Sequence, residues 1–347
     1  MAYTTIDKPS DYFETKLWAG NGSSQNITGL DFQPDWVWIK SRTDTRKHNV
    51  YDSVRGVQKR IVPNSSVAED TASGLTAFGT NGFTVGSETD TNGSGRNFVG
   101  WSWKAGTSVS GNTTGSGTAK TYTGSVNTDA GFSIIKYTGN GTSGHTIPHN
   151  LTQKPAMIIV KNLTGDNWTV YHHKIASDPA TDYIFLNSTA AASDYAGYWN
   201  DTEPTSSVFT VGNDGGSNAN DVSLIAYCFA EKQGYSKFGS YTGNGSTNGT
   251  FTYTGFKPAF VLIKKSSGSA QWQILDNKRD TYNPAITALF PDSTDPDTTS
   301  YNTDFLSNGF KQRATTGSRN GSGATYIYMA FAENPFVSST GVPACAR

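Results

Sequence analysis

The sequence has little charge and almost no cysteine. Charged residues make up 16% of its 347 residues, and the formal net charge is −1. Because a nearly neutral chain has no long-range attraction for phosphates, we expect neither nucleic acid nor an anionic membrane surface as a partner. The two cysteines, Cys228 and Cys345, are too few for a disulfide framework, so we expect a fold that does not depend on an oxidising compartment.

Long apolar runs are also missing. No stretch reaches the ~20 apolar residues that cross a bilayer, so insertion into a membrane is not expected. The opening residues, MAYTTIDKPSDYFETKLW, have no basic start followed by an apolar stretch, and they predict no secretory signal.

Aromatic residues and glycine, in contrast, are plentiful. Aromatics account for 12% of the chain and there are 37 glycines. Disordered chains lack aromatics, so this composition indicates a folded chain with many turns. Asn, Thr, Ser and Gly crowd between short apolar runs, which is typical of hairpins and loops between strands. The composition therefore predicts an all-β fold.

One set of motifs occurs three times along the chain. The first motif is an aromatic residue followed two residues later by Gly-Asn-Gly, and it begins at Trp18, Tyr137 and Tyr241. The second motif is a proline-led apolar run that ends in lysine: PDWVWIK, PAMIIVK and PAFVLIK, at residues 34–40, 155–161 and 258–264. A run without polar alternation is typical of a strand that is buried on both faces.

The later motifs repeat as well. An alternating strand follows each apolar run (HNVYD, NWTVYH and QWQILD), and the last strand of each copy is FVGWSWKAG, LIAYCFAEK or YIYMAFAEN. In these last strands Trp103, Phe229 and Phe331 correspond, and we expect all three in equivalent buried places. Cys228 lies between two aromatic positions, where we expect a buried small side chain rather than a reactive thiol.

These repeats predict three tandem, divergent β-sandwich modules of jelly-roll or lectin-like kind, at residues 1–106, 132–235 and 236–336. Between the first two modules, residues 107–131 are rich in Gly, Ser and Thr and predict a flexible linker. Residues 337–347 form a tail. Because the second join is short and aromatic, we expect the second and third modules to move as one rigid unit and the first to reorient.

The motifs together resemble a known family. FGSYTGNGSTNGTFTYTGFKPAFVLIKK, DFLSNGFK and ATYIYMAFAENPF in the third copy, YWNDTEPTSSVFTVG and AYCFAEKQGYSKFGSYTGNG in the second, and NVYDSVRG and FVGWSWKAG in the first carry the resemblance. They are similar to repeat-containing virion structural proteins of tailed phages, especially marine cyanophages and their relatives. The resemblance covers nearly the whole chain. It implies a tail-fibre-like or tail-associated structural protein, and it supplies no catalytic residues.

Few residues point to catalysis or to a metal. Four of the five histidines fall in the second copy without counterparts in the others, so we expect no zinc site. The loop NDGGSNAND offers Asp214 and Asp221 as weak calcium candidates, but the twelve-residue calcium-loop signature is absent. We find no carboxylate pair suited to glycoside hydrolysis, no nucleophile motif and no phosphate loop. We therefore expect no enzymatic activity and no cofactor.

One loop suggests carbohydrate binding. The string GYWNDTEP places Tyr198 and Trp199 beside Asp201, outside the strand motifs. Aromatic rings with a polar neighbour can stack on a sugar and hydrogen-bond to it. A plug that anchors the loop explains Trp199 equally well.

Two functions remain open at this point. The first is a virion structural protein, associated with the tail or fibre, that assembles with other virion subunits and with copies of itself. Such a protein is made in the host cytoplasm and ends in the extracellular particle. The alternative is a lectin-like host-recognition module that binds surface polysaccharide, or a capsid decoration protein. An exposed aromatic cleft favours recognition, and a large apolar patch favours assembly.

Overall fold

The computed structural model describes residues 2–343 of the chain, and its regular structure is almost entirely antiparallel β-strand. Within these residues the helices are one 3-10 turn (Pro9–Asp11) and three α-helices of four residues each. None of the helices in this part of the chain is long and apolar enough to span a bilayer. The all-β class predicted from the sequence is confirmed.

Three consecutive segments hold these elements. Segment 1, residues 13–103, contains β1 (Phe13–Ala19), β2 (Gln25–Thr28), β3 (Trp36–Ser41), β4 (Asn49–Asp52), β5 (Lys59–Arg60), β6 (Asp70–Thr71), β7 (Leu75–Gly79), β8 (Gly82–Val85), α1 (Thr89–Asn92) and β9 (Asn97–Trp103). Segment 2, residues 107–229, contains β10 (Thr107–Asn112), β11 (Thr114–Gly115), β12 (Thr121–Asn127), β13 (Phe132–Thr138), β14 (His145–Pro148), β15 (Met157–Asn162), β16 (Trp168–His172), β17 (Asp182–Phe185), β18 (Ser193–Asp194), α2 (Ala196–Trp199), β19 (Val208–Val211), α3 (Gly215–Asn218) and β20 (Ser223–Phe229). Segment 3, residues 236–335, contains β21 (Ser236–Thr242), β22 (Phe251–Tyr253), β23 (Phe256–Lys265), β24 (Gln273–Asp276), β25 (Thr303–Leu306), β26 (Gly309–Gln312) and β27 (Thr325–Pro335).

The same strand order recurs in all three segments. The four-stranded sheets are β1-β9-β3-β4 in segment 1 and β21-β27-β23-β24 in segment 3. In segment 2 the corresponding run, β13-β20-β15-β16, lies inside an eight-stranded sheet that continues to β12 and β10 on one side and to β17 and β18 on the other. Each segment also has a three-stranded sheet: β2-β8-β7, β11-β14-β19 or β22-β26-β25. The protein is therefore built as β-sandwiches.

The apolar runs form central strands that are buried on both faces, as the sequence predicted. In β3, Val37 and Ile39 face the small sheet of their own segment, whereas Trp36 and Trp38 face away from it. Strands β15 and β23 divide their side chains in the same way. Because successive side chains of a strand point to opposite faces, a strand between two cores has no position for a polar residue.

The two four-stranded sheets and the corresponding run of segment 2 meet in one shared aromatic core, through the faces that point away from the small sheets. Trp103, Phe229 and Phe331 are each 1% exposed, so their predicted burial is confirmed. Phe331 contacts the other two, with ring centroids 5.6 Å from Trp103 and 6.1 Å from Phe229. Large aromatic side chains contribute most to core stability, so this cluster holds all three segments together.

The Gly-Asn-Gly motifs form one half of an asparagine clasp. In segment 2 the main-chain N–H of Asn140 donates to Oδ1 of Asn218 (2.9 Å), and Nδ2 of Asn218 donates back to Oδ1 of Asn140 (3.3 Å). Asn21 pairs with Asn92 in the same way in segment 1, and Asn244 pairs with Asn320 in segment 3. The clasp ties the loop after β1, β13 or β21 to the chain just before the last strand of the same segment, β9, β20 or β27. The sequence predicted the tight turn but not its partner.

Residues 107–131, expected as a flexible linker, are ordered strands. Strand β12 pairs with β13 along six residue pairs, from Tyr122↔Tyr137 to Asn127↔Phe132, β10 pairs with β12, and β11 joins β14. Tyr122 and Val126 are buried in the segment 2 core. The flexible-linker prediction was wrong because it relied on the low apolar content of these residues. One buried face with exposed Thr and Ser opposite is enough for a strand near a sheet edge.

We therefore expect residues 107–131 to resist limited proteolysis of the native protein. Proteases need several residues of mobile backbone, and here the backbone is paired in a sheet. Mass spectrometry of the first fragments provides the measurement. Primary cleavage within residues 107–131, with release of a stable fragment that contains β13 to β27, would contradict the ordered hairpin.

Candidate functional site

The aromatic residues predicted as a carbohydrate platform do not form one. Helix α2 turns Tyr198 and Trp199 inward, where they are 8% and 2% exposed. The Trp199 ring packs edge-on against Tyr171 at 5.9 Å. Only Asp201 is exposed. Trp199 is thus the plug that anchors its loop, since burying an indole ring is more favourable than leaving it in water.

The two calcium candidates are used elsewhere. Asp214 caps helix α3 by accepting a hydrogen bond from the amide of Gly216 at 2.8 Å. Asp221 pairs with Lys120 at 2.5 Å on the surface. Within residues 2–343, no three His, Cys, Asp or Glu side chains are grouped as a metal site would require.

The histidines and the described cysteine are structural. His145, His149 and His172 are buried, and each has a ring nitrogen within 3.2 Å of a main-chain carbonyl, of Ser116, Thr205 and Tyr328 respectively. Cys228 is buried as expected, and this burial raises the pKa of its thiol. Cys345 lies outside the described residues.

The most conspicuous polar arrangements lie at the three seams where the segments meet. At the seam between segments 1 and 2, the amide of Asp166 donates to the carbonyl of Ser66, and the amide of Glu69 donates to that of Leu163. The other two seams repeat this pair of amide-to-carbonyl bonds. Between segments 2 and 3, the amide of Ala270 donates to the carbonyl of Thr189 and the amide of Ala192 to that of Ser266. Between segments 3 and 1, the amide of Arg46 donates to the carbonyl of Thr294 and the amide of Asp297 to that of Arg42. All six distances lie between 2.8 and 3.0 Å. Each segment thus contacts both others through the same two surfaces, in a closed cyclic order.

This cyclic arrangement contradicts the expected division into a mobile first module and a rigid pair. Segment 1 contributes Trp36, Trp38, Trp101 and Trp103 to the shared core. It also makes two of the three seams. Three mutually packed segments cannot reorient one at a time, because each movement would break two seams and expose aromatic surface.

The lysine that ends each apolar run is buried at a seam. Lys161 donates to the carbonyl of Ser66 in segment 1 (3.0 Å), and Lys264 donates to that of Thr189 in segment 2 (2.8 Å). Lys40 donates to the carbonyl of Ser41 (2.8 Å). Burial lowers the pKa of all three ammonium groups to about 8. Each ammonium group donates to buried carbonyls, and none has a carboxylate of residues 2–343 within hydrogen-bond distance. Burial of the positive charge therefore costs free energy of folding.

Stability is therefore expected to rise as the pH rises above about 8. Between that value and the ordinary lysine pKa of 10.5, the unfolded chain binds more protons than the folded one. Each lysine then adds about 1.4 kcal/mol per pH unit to the free energy of unfolding. Urea denaturation of the wild type and of Lys161→Met over this interval measures the contribution. Equal pH slopes for the two proteins would show that Lys161 is not depressed in the native state.

Two seams also contain a buried ion triad. In segment 1, Nε of Arg55 lies 2.6 Å from Asp52 and its Nη1 lies 3.0 Å from Glu69. The hydroxyl of Tyr227 in segment 2 donates to the same Asp52 at 2.7 Å. Because Asp52 and Arg55 are almost completely buried, each needs the other as a partner.

Segment 3 repeats the triad and segment 2 replaces it. Asp276, Arg279 and Asp297 make the same contacts at 2.6 and 3.0 Å, and Trp101 of segment 1 donates to Asp276 at 3.1 Å. At the corresponding positions segment 2 has His172, Ile175 and Ala192, and the residue that corresponds to the donors Tyr227 and Trp101 is Met329. Removal of the charges at one seam is thus accompanied by removal of the donor that faced them.

Three clefts lie beside the seams, at corresponding positions next to Asp35, Ala156 and Ala259, with volumes of 480, 390 and 260 Å³. Every carboxylate that lines them has a partner. Glu14 pairs with Lys278 at 3.1 Å, Glu333 with Lys257 at 3.3 Å and Glu231 with Lys237 at 2.8 Å, and Asp35 accepts a hydrogen bond from Ser53 at 2.7 Å. Each of these acids is thus in contact with a lysine or a serine hydroxyl of the chain.

The protein is all-β, and its sandwiches close on one another around one shared aromatic core. A family model described as "Domain of unknown function (DUF7483)" matches residues 8–335, and the chain belongs to this family. The single match extends over all three segments. No curated protein and no solved structure matches the chain.

Proposed function

We propose that this protein is a non-enzymatic structural component of a tailed-phage virion, associated with the tail or fibre. In this proposal it consists of three β-sandwich modules of jelly-roll kind, joined as a ring with pseudo-threefold symmetry. The observation that carries the proposal is the cyclic repetition of the seams, with the same pair of main-chain hydrogen bonds at each. Such a body stays rigid under load and offers its outer surface to neighbouring subunits.

Three further observations support a structural role. The carboxylates of the seam clefts contact lysines or a hydroxyl, as we expect of side chains that hold segments together. The family match treats the three segments as one unit. The strand motifs resemble those of phage virion proteins along nearly the whole chain. The host-recognition alternative has lost its predicted platform, because Tyr198 and Trp199 are buried.

The test is the location of the protein in particles. Virions of the phage whose genome encodes this chain are purified on a density gradient, analysed by mass spectrometry and labelled with gold-conjugated antibody for electron microscopy. We expect the chain in intact particles at a fixed position on the tail. Label on the capsid surface would support the decoration alternative instead, and absence from purified particles would exclude a virion role.

A further inference from the structure

The strand hairpin inserted in segment 2 is the largest departure from the threefold repetition. It places β12 and then β10 beyond the edge strand β13, whereas the corresponding strands β1 and β21 end their sheets in segments 1 and 3. The insertion therefore replaces one of three corresponding sheet edges with a new edge, strand β10.

The new edge differs from the other two in charge. Strand β1 carries Glu14 and Lys16, and β21 carries Lys237. Strand β10 reads TSVSGN, and its residues are mostly exposed. The sequence has no charged residue between Lys104 and Lys120. Charged residues on an edge strand hinder pairing with another chain, so of these three corresponding edges β10 is the one without this protection.

The pairing of β10 with β12 determines which main-chain groups of β10 point away from the sheet. The amide of Thr113 donates to the carbonyl of Lys120 across the hairpin at 2.7 Å. Hydrogen-bonded pairs alternate in an antiparallel ladder, so Val109 and Gly111 point their main-chain groups toward β12. Ser108, Ser110 and Asn112 then point theirs away from the sheet.

We propose that β10 is a self-association edge, on which β10 of a second copy of this chain pairs antiparallel. The alternation allows a register with Ser110 opposite Ser110 and Ser108 opposite Asn112, which forms about six main-chain hydrogen bonds. In this register Val109 faces Gly111, so no bulky side chains collide. The chain is nearly neutral and β10 is uncharged, so the two copies meet without like charges.

This inference concerns a pairing edge and does not rest on the virion role. Sedimentation equilibrium of the full chain tests it with two variants and a matched control. Ser110→Pro removes the outward N–H at the centre of the pairing without touching the β10–β12 ladder. Ser110→Lys places two like charges opposite each other. Thr118→Lys adds the same charge to the exposed loop between β11 and β12.

We expect a mass of two chains for the wild type and for Thr118→Lys, and of one chain for both Ser110 variants. Hydrogen exchange should show protection of the Ser108, Ser110 and Asn112 amides in the wild type and its loss in Ser110→Lys. A single-chain mass for the wild type at every concentration overturns the proposal, whether or not the protein is found in virions. A dimer that survives both Ser110 substitutions overturns it equally.

Discussion

Replacing Arg55 alone with isoleucine is expected to cost about 3–5 kcal/mol of the free energy of unfolding. The substitution leaves Asp52 buried, with Tyr227 at 2.7 Å as its remaining side-chain donor. It also removes the hydrogen bonds from the guanidinium to the carbonyls of Val50 and Lys59. A buried carboxylate without its cation is costly because the interior does not solvate the charge. Urea denaturation at neutral pH measures the loss.

The matched control is already present in the chain. Segment 2 carries His172, Ile175 and Ala192 in place of the triad, and Met329 faces that seam. We expect the quadruple variant D52H/R55I/E69A/Y227M to recover most of the stability lost in R55I, because apolar packing can replace a buried ion triad. If the quadruple variant is no more stable than R55I, the two kinds of seam are not interchangeable.

Acid is expected to destabilise the protein through its buried histidines, among them His172. Burial lowers the pKa of His172 to about 3, with the neighbouring His173 adding to the effect. As the pH falls below the ordinary value of 6.5, the unfolded chain takes up a proton that the folded chain excludes. Stability is therefore fully present above that value and is lost progressively as the pH falls toward the folded pKa.

The expected loss from His172 is roughly 2–3 kcal/mol by about pH 4.5. His172→Gln keeps an N–H in reach of the carbonyl of Tyr328, which His172 contacts at 3.1 Å, but it cannot titrate. The variant should lie close to the wild type at neutral pH and lose less stability in acid. Thermal unfolding of both proteins across this range provides the measurement. Parallel pH curves would show that His172 does not contribute to the acid sensitivity.

Strand positions and burial could be predicted wherever the sequence pattern is local. The apolar runs that end at Lys40, Lys161 and Lys264 predicted doubly buried strands, because a strand with two cores cannot alternate polar and apolar residues. Trp103, Phe229 and Phe331 could be matched by aligning the last strands of the three copies, and all three are buried. Such patterns depend on neighbouring residues of the same strand, which the sequence displays directly.

The candidate site could not be predicted in the same way. The polar loop around Trp199 left a surface platform and a loop anchor equally open, and α2 turns the ring into the core. The partners of Asp52 and Asp276 are Tyr227 and Trp101, which lie far away in the chain and in other segments. The repeats do contain an indication of these contacts, because four positions change together between copies. They are Asp52, Arg55, Glu69 and Tyr227 at one seam and His172, Ile175, Ala192 and Met329 at another. The change can be interpreted only when the cyclic order of the segments is known.

The all-β class, the threefold recurrence of the motifs and the double burial of the central strands follow from the sequence alone. Local spacing and the two-residue period of a strand are sufficient for these. The closure of the segments into a cycle and the extension of a sheet by residues 107–131, with β10 at its edge, are visible only in the folded chain. Each of these depends on which surfaces meet across long stretches of chain. The sheet-edge hairpin needs only one buried face, and its alternation of Tyr122 and Val126 with small polar residues is too weak to distinguish from a loop until β13 lies beside it.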